Sequence, residues 1–166
     1  HLESARRLAA RHALGVRWEI ECLARALRST AVPIVLLKGA AYAAAGLPIS
    51  RGRTFVDIDL MVPKATLLRT ETALALHGWL PSKMTAYDKR YYREWMHEIP
   101  PLKHFRRHSM LDLHHTILPP TSKPRPDASK LLLAAVPVTE LEEVYVLAPA
   151  DMVLHSATHL FYDGEL

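Results

Sequence analysis

Hydrophobic positions change their period several times along this chain, and each change marks an element. From residue 2 to 29, Leu8, Ala9, Leu14, Trp18, Leu23, Ala24 and Leu27 recur at helical spacing without a proline, which predicts one long helix. Pro33 opens an unbroken apolar run, Ile34–Leu37, too short for a helix and suited to a buried strand. Residues 39–46, GAAYAAAG, read as a short helix closed by Gly46 and Pro48. Residues 53–62, RTFVDIDLMV, read as a second strand, and residues 64–80 as an amphipathic helix that turns at Gly78. Residues 81–98 mix aromatic and charged side chains and predict no element. PPLKHF and SMLDLHH read as two strands joined through a basic turn at Arg106–Ser109. A proline-rich connector follows at 119–126, and DASKLLLAA begins a helical portion. Pro149 and Asp151 then start a last helix with an apolar face of Met152, Val153, Leu154, Ala157, Leu160 and Phe161.

One break in this pattern raises a chemical question. Asp57 and Asp59 interrupt an apolar strand one residue apart. A strand repeats every two residues, so both carboxylates point to the same face, where like charges repel and burial adds to the cost. The oddity recurs in MLDLHH, where Asp112 sits inside another apolar strand and His114 follows on the same face. Three strand carboxylates make sense around a hard divalent cation. Mg²⁺ prefers carboxylate oxygen and keeps positions open for phosphate. Two such ions can clamp the attacking and leaving oxygens of a phosphoryl transfer.

Composition narrows the frame without choosing the chemistry. The 166 residues suit one domain, and 49% hydrophobic with 23% charged residues excludes wholesale disorder. No apolar run reaches the roughly 18 residues of a membrane span. Glu3, Arg6 and Arg7 stand where a signal peptide would be apolar. A single cysteine, Cys22, excludes an internal disulfide framework and fits a reducing compartment, so a cytoplasmic location is expected. The net charge of +4 permits an anionic substrate without demanding nucleic acid. Both ends read as cut, because His1 is not a methionine and the last apolar helix meets no partner before the sequence stops.

The order of these motifs resembles the nucleotidyltransferase superfamily of the DNA polymerase β type. Strand, KG, short helix, a strand with D-x-D, helix, and a later strand with one acidic residue follow each other as in that superfamily. More closely, LLKGAAYAA, RTFVDIDLMV and LDLHH look like a family of largely uncharacterised bacterial nucleotidyltransferases. The resemblance covers about residues 30–118, with a weaker echo in LAPADMVLHSATH. It implies an α+β fold, a short mixed sheet flanked by helices. The N-terminal helix would span residues 1–30, the nucleotidyltransferase core 31–118, and the connector with the start of a helical region 119–166.

By the same resemblance, Asp57 and Asp59 match the metal-binding pair, and Asp112 the third carboxylate, a candidate base for an attacking hydroxyl. Mg²⁺ or Mn²⁺ is the implied cofactor. Gly39 matches the turn where backbone N–H groups meet phosphate, and Lys38 and Arg53 match positions that neutralise triphosphate charge. Many superfamily members carry serine after that glycine; here it is Ala40, and Lys38 or Ser50 is the candidate substitute. The implied reaction moves a nucleoside monophosphate from an NTP to a hydroxyl of an unidentified small molecule, protein or RNA, releasing pyrophosphate. A catalytically degenerate nucleotide-binding module of the toxin–antitoxin kind and a metal-dependent phosphohydrolase remain as alternatives.

Several features have plainer readings beside the functional ones. Lys38 could end a strand at solvent, and Arg53 could pair with Asp57 or Asp59. His114 and His115 read as supporting rather than catalytic. His155 and His159 have the i, i+4 spacing of a zinc pair but lack an obvious third ligand. The aromatic stretch Tyr87–Trp95 could stack a base or pack on the sheet.

Overall fold

The computed structural model describes residues 2–162. Helix α1 (Leu2–Leu27) leads into strand β1 (Ile34–Leu36), helix α2 (Lys38–Ala44) and strand β2 (Asp57–Met61). Helix α3 (Leu67–Leu76) and strand β3 (Trp79–Pro81) follow, then helix α4 (Ala86–Trp95), β4 (Leu102–His104) and β5 (Met110–His114). Helix α5 (Ala128–Leu133), β6 (Val136–Pro137), β7 (Val144–Val146) and helix α6 (Pro149–Tyr162) complete the order. The strands form one mixed seven-stranded sheet in the order β3-β4-β5-β2-β1-β7-β6. This is the α+β architecture expected, with helices flanking the sheet.

Alternation along the central strands decides which face does what. Ile34 and Leu36 of β1, with Ile58 and Leu60 of β2, join one core cluster with Val16, Ile20, Leu23 and Leu27 of α1 and Leu74 of α3. Those α1 residues recur at helical spacing, and burying such a stripe is what holds the helix on the sheet. The earlier turns of α1 leave Leu8 and Leu14 exposed. Val35, Leu37 and Met61 point the other way and pack with Ile117, Leu131 and Leu147 in a second, smaller cluster. Asp57 and Asp59 share the face of Met61, because all three lie two residues apart on β2. The acidic residues therefore occupy the face opposite α1.

Four differences from the sequence reading have physical causes. The strand read at 53–62 is paired over Asp57–Met61, and Val56 just before it is 86% exposed. The helix read at 64–80 ends at Leu76; Gly78, at φ 91, turns the chain so that Trp79–Pro81 becomes an edge strand. The stretch read as connector and helical start also carries β6 and β7, and β7 lies parallel to β1. Strands of two and three residues are too short to show a period. Residues 86–95, which predicted no element, form α4 behind a capping box in which the Thr85 hydroxyl and Asp88 exchange hydrogen bonds with each other's backbone N–H.

Candidate active site

Strands β2 and β5 run parallel and side by side, with Asp59 opposite Asp112 and Met61 opposite His114. Residues opposite each other share a face, so Asp57, Asp59, Asp112 and His114 all project to one side of the sheet. Asp59 is buried, and Asp57 and Asp112 are half-buried.

Asp59 has two partners. Its Oδ1 lies 2.9 Å from Lys38 Nζ and 3.0 Å from His114 Nε2. Burial works against its carboxylate, but the hydrogen bond from His114 and the charge of Lys38 win and hold Asp59 at about 2. Burial likewise opposes the Lys38 ammonium, yet Asp59, Glu98 and Asp112 raise it above its ordinary value, so the pair stays charged. Lys38 opens α2 with φ 47, a left-handed conformation that costs on the order of 1 kcal/mol in a non-glycine residue. His114 is fully buried and pushed down by that burial, so the ring is neutral; its contact with Asp59 assigns the proton to Nε2. Its Nδ1 has no hydrogen-bond partner.

Asp112 behaves oppositely to Asp59. Burial, then the charges of Asp59 and Asp57 and a hydrogen bond with Asp57, push it up to about 6. This is the donor set a hard divalent ion suits: all-oxygen and crowded with like charge. Asp57, Asp59 and Asp112 would be the residues to hold it. Drawn toward Lys38 and His114, Asp59 leaves the triad more open than the one compact ligand group among the described residues. That group is His97, Glu98 and His114, whose donor atoms all lie within 4.8 Å of one another.

Lys38 also lines a cavity of about 520 Å³ with Gly39, Tyr42, Arg53, Ser156 and His159. The hydroxyls of Tyr42 and Ser156 hydrogen-bond, which ties α2 to α6 along that wall. Gly39 has a packing reason to be bare: a Cβ there would meet the Phe55 ring at 2.9 Å. Ser50 stands elsewhere. Its hydroxyl donates to the Leu47 carbonyl at 2.7 Å, and it lines a neighbouring cavity of about 500 Å³ that Arg53 and Phe55 share. Lys38, Gly39 and Arg53 thus gather on one wall, whereas Ser50 faces the next.

The remaining candidates separate by environment. His115 is buried and pushed down to about 4 by that burial. His155 and His159 hold their rings 6.3 Å apart. On α4, Tyr87 is 70% exposed, and Tyr91 packs edge-on against Tyr92 and Trp95. Within the basic stretch 103–108, Arg107 makes a two-pronged contact with Glu19 of α1. His97 and Glu98 escaped the sequence reading. They precede β4 in an unpatterned stretch, and the bridge between Glu98 and His114 that brings them to the site leaves no local signal.

A family model described as "Uncharacterised nucleotidyltransferase" matches residues 1–166. Among solved structures, the solution structure of the antibiotic-resistance factor ANT(2'')-Ia is similar in fold. Its TM-score is 0.59 at 12% identity, over 93% of this chain and 76% of that one. No curated protein matches the chain. A match over the whole sequence, on a sheet that sets D-x-D beside a third aspartate, leads to one conclusion: the chain belongs to the uncharacterised nucleotidyltransferase family.

Proposed function

We propose that the protein is a Mg²⁺- or Mn²⁺-dependent nucleotidyltransferase, moving a nucleoside monophosphate from an NTP to an acceptor hydroxyl with release of pyrophosphate. The observation that supports this reading is the parallel pairing of β2 and β5, which sets Asp57, Asp59 and Asp112 on one face of the sheet. When bound, the divalent ion supplies charge neutralisation for phosphoryl oxygens. The chain's own residues have separate tasks. Lys38 and Arg53, on the wall of the 520 Å³ cavity, offer positive charge to a triphosphate. Asp112 is the carboxylate nearest the role of base for the acceptor's hydroxyl. His114 fixes the orientation of Asp59 through its Nε2–H. The acceptor is a small molecule, a protein or an RNA. The likeness to an antibiotic-resistance factor makes hydroxyl-rich antibiotics a sensible first panel. A bacterial cytoplasm, where NTP is abundant, suits this chemistry.

The test is incubation with γ- and α-labelled NTPs, Mg²⁺ and candidate acceptors. Pyrophosphate with an α-labelled product supports transfer. Orthophosphate would support a phosphohydrolase instead, and binding without turnover a degenerate nucleotide-binding module.

A further inference from the structure

Beside the aspartates lies a second donor group of different chemistry. Glu98 Oε2 sits 3.3 Å from His114 Nε2 and 3.9 Å from His97 Nε2, so two imidazoles address one carboxylate oxygen. All three donor atoms fall within 4.8 Å. Tetrahedral zinc with bonds of roughly 2.0–2.1 Å needs ligand atoms about 3.3–3.4 Å apart, close to the first separation and a small side-chain adjustment from the second. The His97 and His114 rings lie 5.2 Å apart and tilted by 30°. We propose that His97, Glu98 and His114 form a site for a borderline transition cation such as Zn²⁺, distinct from the all-oxygen aspartate site.

Two further observations support it. A bound ion at Nε2 requires the proton on Nδ1; the Nδ1 atoms of both His97 and His114 are buried without a partner, and at His114 the ion would take the place of the Nε2–H hydrogen bond to Asp59. The local charge also favours a cation, since Asp59, Glu98 and Asp112 gather around Lys38 and Asp57 lies beside Asp112. Access is from the side of His97 and Glu98, whose side chains are each 16% exposed, whereas His114 is closed off. An ion here would staple the segment after α4 to β5 on the flank of Asp59.

The site can be read without any turnover assay. Metal-freed full-length protein is titrated with Zn²⁺ alone by calorimetry, with and without excess Mg²⁺, and Co²⁺ is substituted for its absorption spectrum. The expected result is one ion per chain, intense tetrahedral Co²⁺ bands, and binding that persists in excess Mg²⁺. In His97→Ala and Glu98→Gln, affinity should fall by more than the roughly 10–100-fold that outer partners alone carry. Asp57→Asn should bind Zn²⁺ like the wild type, while losing any Mg²⁺ response. Weak octahedral Co²⁺ bands, displacement of Zn²⁺ by Mg²⁺, undiminished binding in a folded His97→Ala or Glu98→Gln, or loss of Zn²⁺ in Asp57→Asn would each overturn the site. Circular dichroism establishes folding, and if His97→Ala does not fold, Glu98→Gln and the wild-type spectrum decide.

Discussion

Two ionic clusters are built into this sheet, and they treat charge in opposite ways. In the first, Glu19 of α1 accepts Arg107 Nε on both oxygens at 3.0 Å, Arg107 Nη2 at 2.6 Å and the Ser109 hydroxyl at 3.0 Å. The same guanidinium lies over the Trp18 and Trp79 rings at 5.4 and 5.6 Å. One negative charge meets one positive charge, and the contact pins α1 to the β4–β5 turn. The second cluster crowds Asp57, Asp59 and Asp112 onto one face, where Lys38 offsets one of them and Asp112 is held back from ionising. A cluster that neutralises itself is a fastener. A cluster left with surplus charge is stable only at a cost that a bound cation removes, and that cost is the mark of a working site.

The sharpest way to test this contrast is to remove the surplus. In Asp112→Asn the repulsion with Asp57 and Asp59 disappears, so the metal-free protein should melt no lower than wild type, and higher at neutral pH. NTP-dependent pyrophosphate release should nevertheless fall about 10³-fold or more, roughly 4 kcal/mol of transition-state stabilisation. Turnover within tenfold of wild type would place Asp112 among the fasteners. The mirror experiment is Glu19→Gln. Breaking a buried pair by deleting one charge costs about 3 kcal/mol, discounted toward 2 because Arg107 keeps partial contact with solvent. Thermal melting should drop by several degrees while turnover per folded molecule is unchanged. A selective loss of turnover there would mean α1 shapes the cleft.

The same contrast explains what the sequence could disclose. Asp57 and Asp59 were legible because a polar residue in an apolar strand violates a period of two, and a violation repeated in Asp112 is hard to explain by packing. The helix at Leu2–Leu27 and the strands Ile34–Leu36 and Met110–His114 were legible from the same periods. Partnerships across the chain were not. The readings that Arg53 pairs with an aspartate and that Lys38 faces phosphate gave no hint that Lys38 is the residue bonded to Asp59. Nor could it be seen that Arg107, in a stretch that read as a basic turn, reaches back to Glu19, or that Glu98 meets His114. Each of these is set by sheet register and helix docking, which distant segments decide together. Strands as short as Val136–Pro137 and Val144–Val146 exist because β1 offers an edge, not because their own residues insist on it.

Lys38 sharpens the contrast at a smaller scale, since it belongs to both sides of it. It neutralises Asp59 and lines the cavity proposed for the triphosphate. Lys38→Met removes the charge and keeps the length. NTP affinity should weaken by on the order of 1–3 kcal/mol, roughly 5- to 150-fold, as for a lost charged hydrogen bond. The melting temperature should fall by an amount like that in Glu19→Gln, because the buried Asp59 carboxylate keeps only the neutral His114 beside it. Unchanged affinity in calorimetry with a non-hydrolysable NTP would leave Lys38 as a fastener for Asp59.

The smallest effect is a difference between two pH profiles, and its sign follows from which way each group is shifted. His97, His115 and His155 are pushed down by burial to about 3, 4 and 3, so the unfolded chain takes up their protons first. Their contribution to stability is complete above about pH 6.5 and is lost as pH falls. Asp59, held at about 2, acts in the same sense lower down, its contribution lost as pH falls below the ordinary 3.8. Asp112 runs against both. Its folded value of about 6 exceeds the ordinary 3.8, so the folded state keeps a proton that the unfolded chain gives up, and its stabilising effect is lost as pH rises from about 4 through 6. The histidines dominate the total, so metal-free wild type should gain stability from pH 4 to 7 overall. Subtracting the wild-type curve from that of Asp112→Asn cancels them and leaves the aspartate. The mutant's advantage should widen by on the order of 1–2 kcal/mol between pH 4 and 7, with the coupling to Asp57 and Asp59 limiting its size. Adding Mg²⁺ at pH 7 should close the gap from the wild-type side, because the ion binds the ionised triad and stabilises by mass action. Denaturant melts of both proteins at pH 4, 5, 6 and 7, with and without Mg²⁺, measure this directly. A gap that stays flat with pH, or one that Mg²⁺ leaves untouched, would show that the crowding of carboxylates on β2 and β5 carries no surplus charge for a cation to remove.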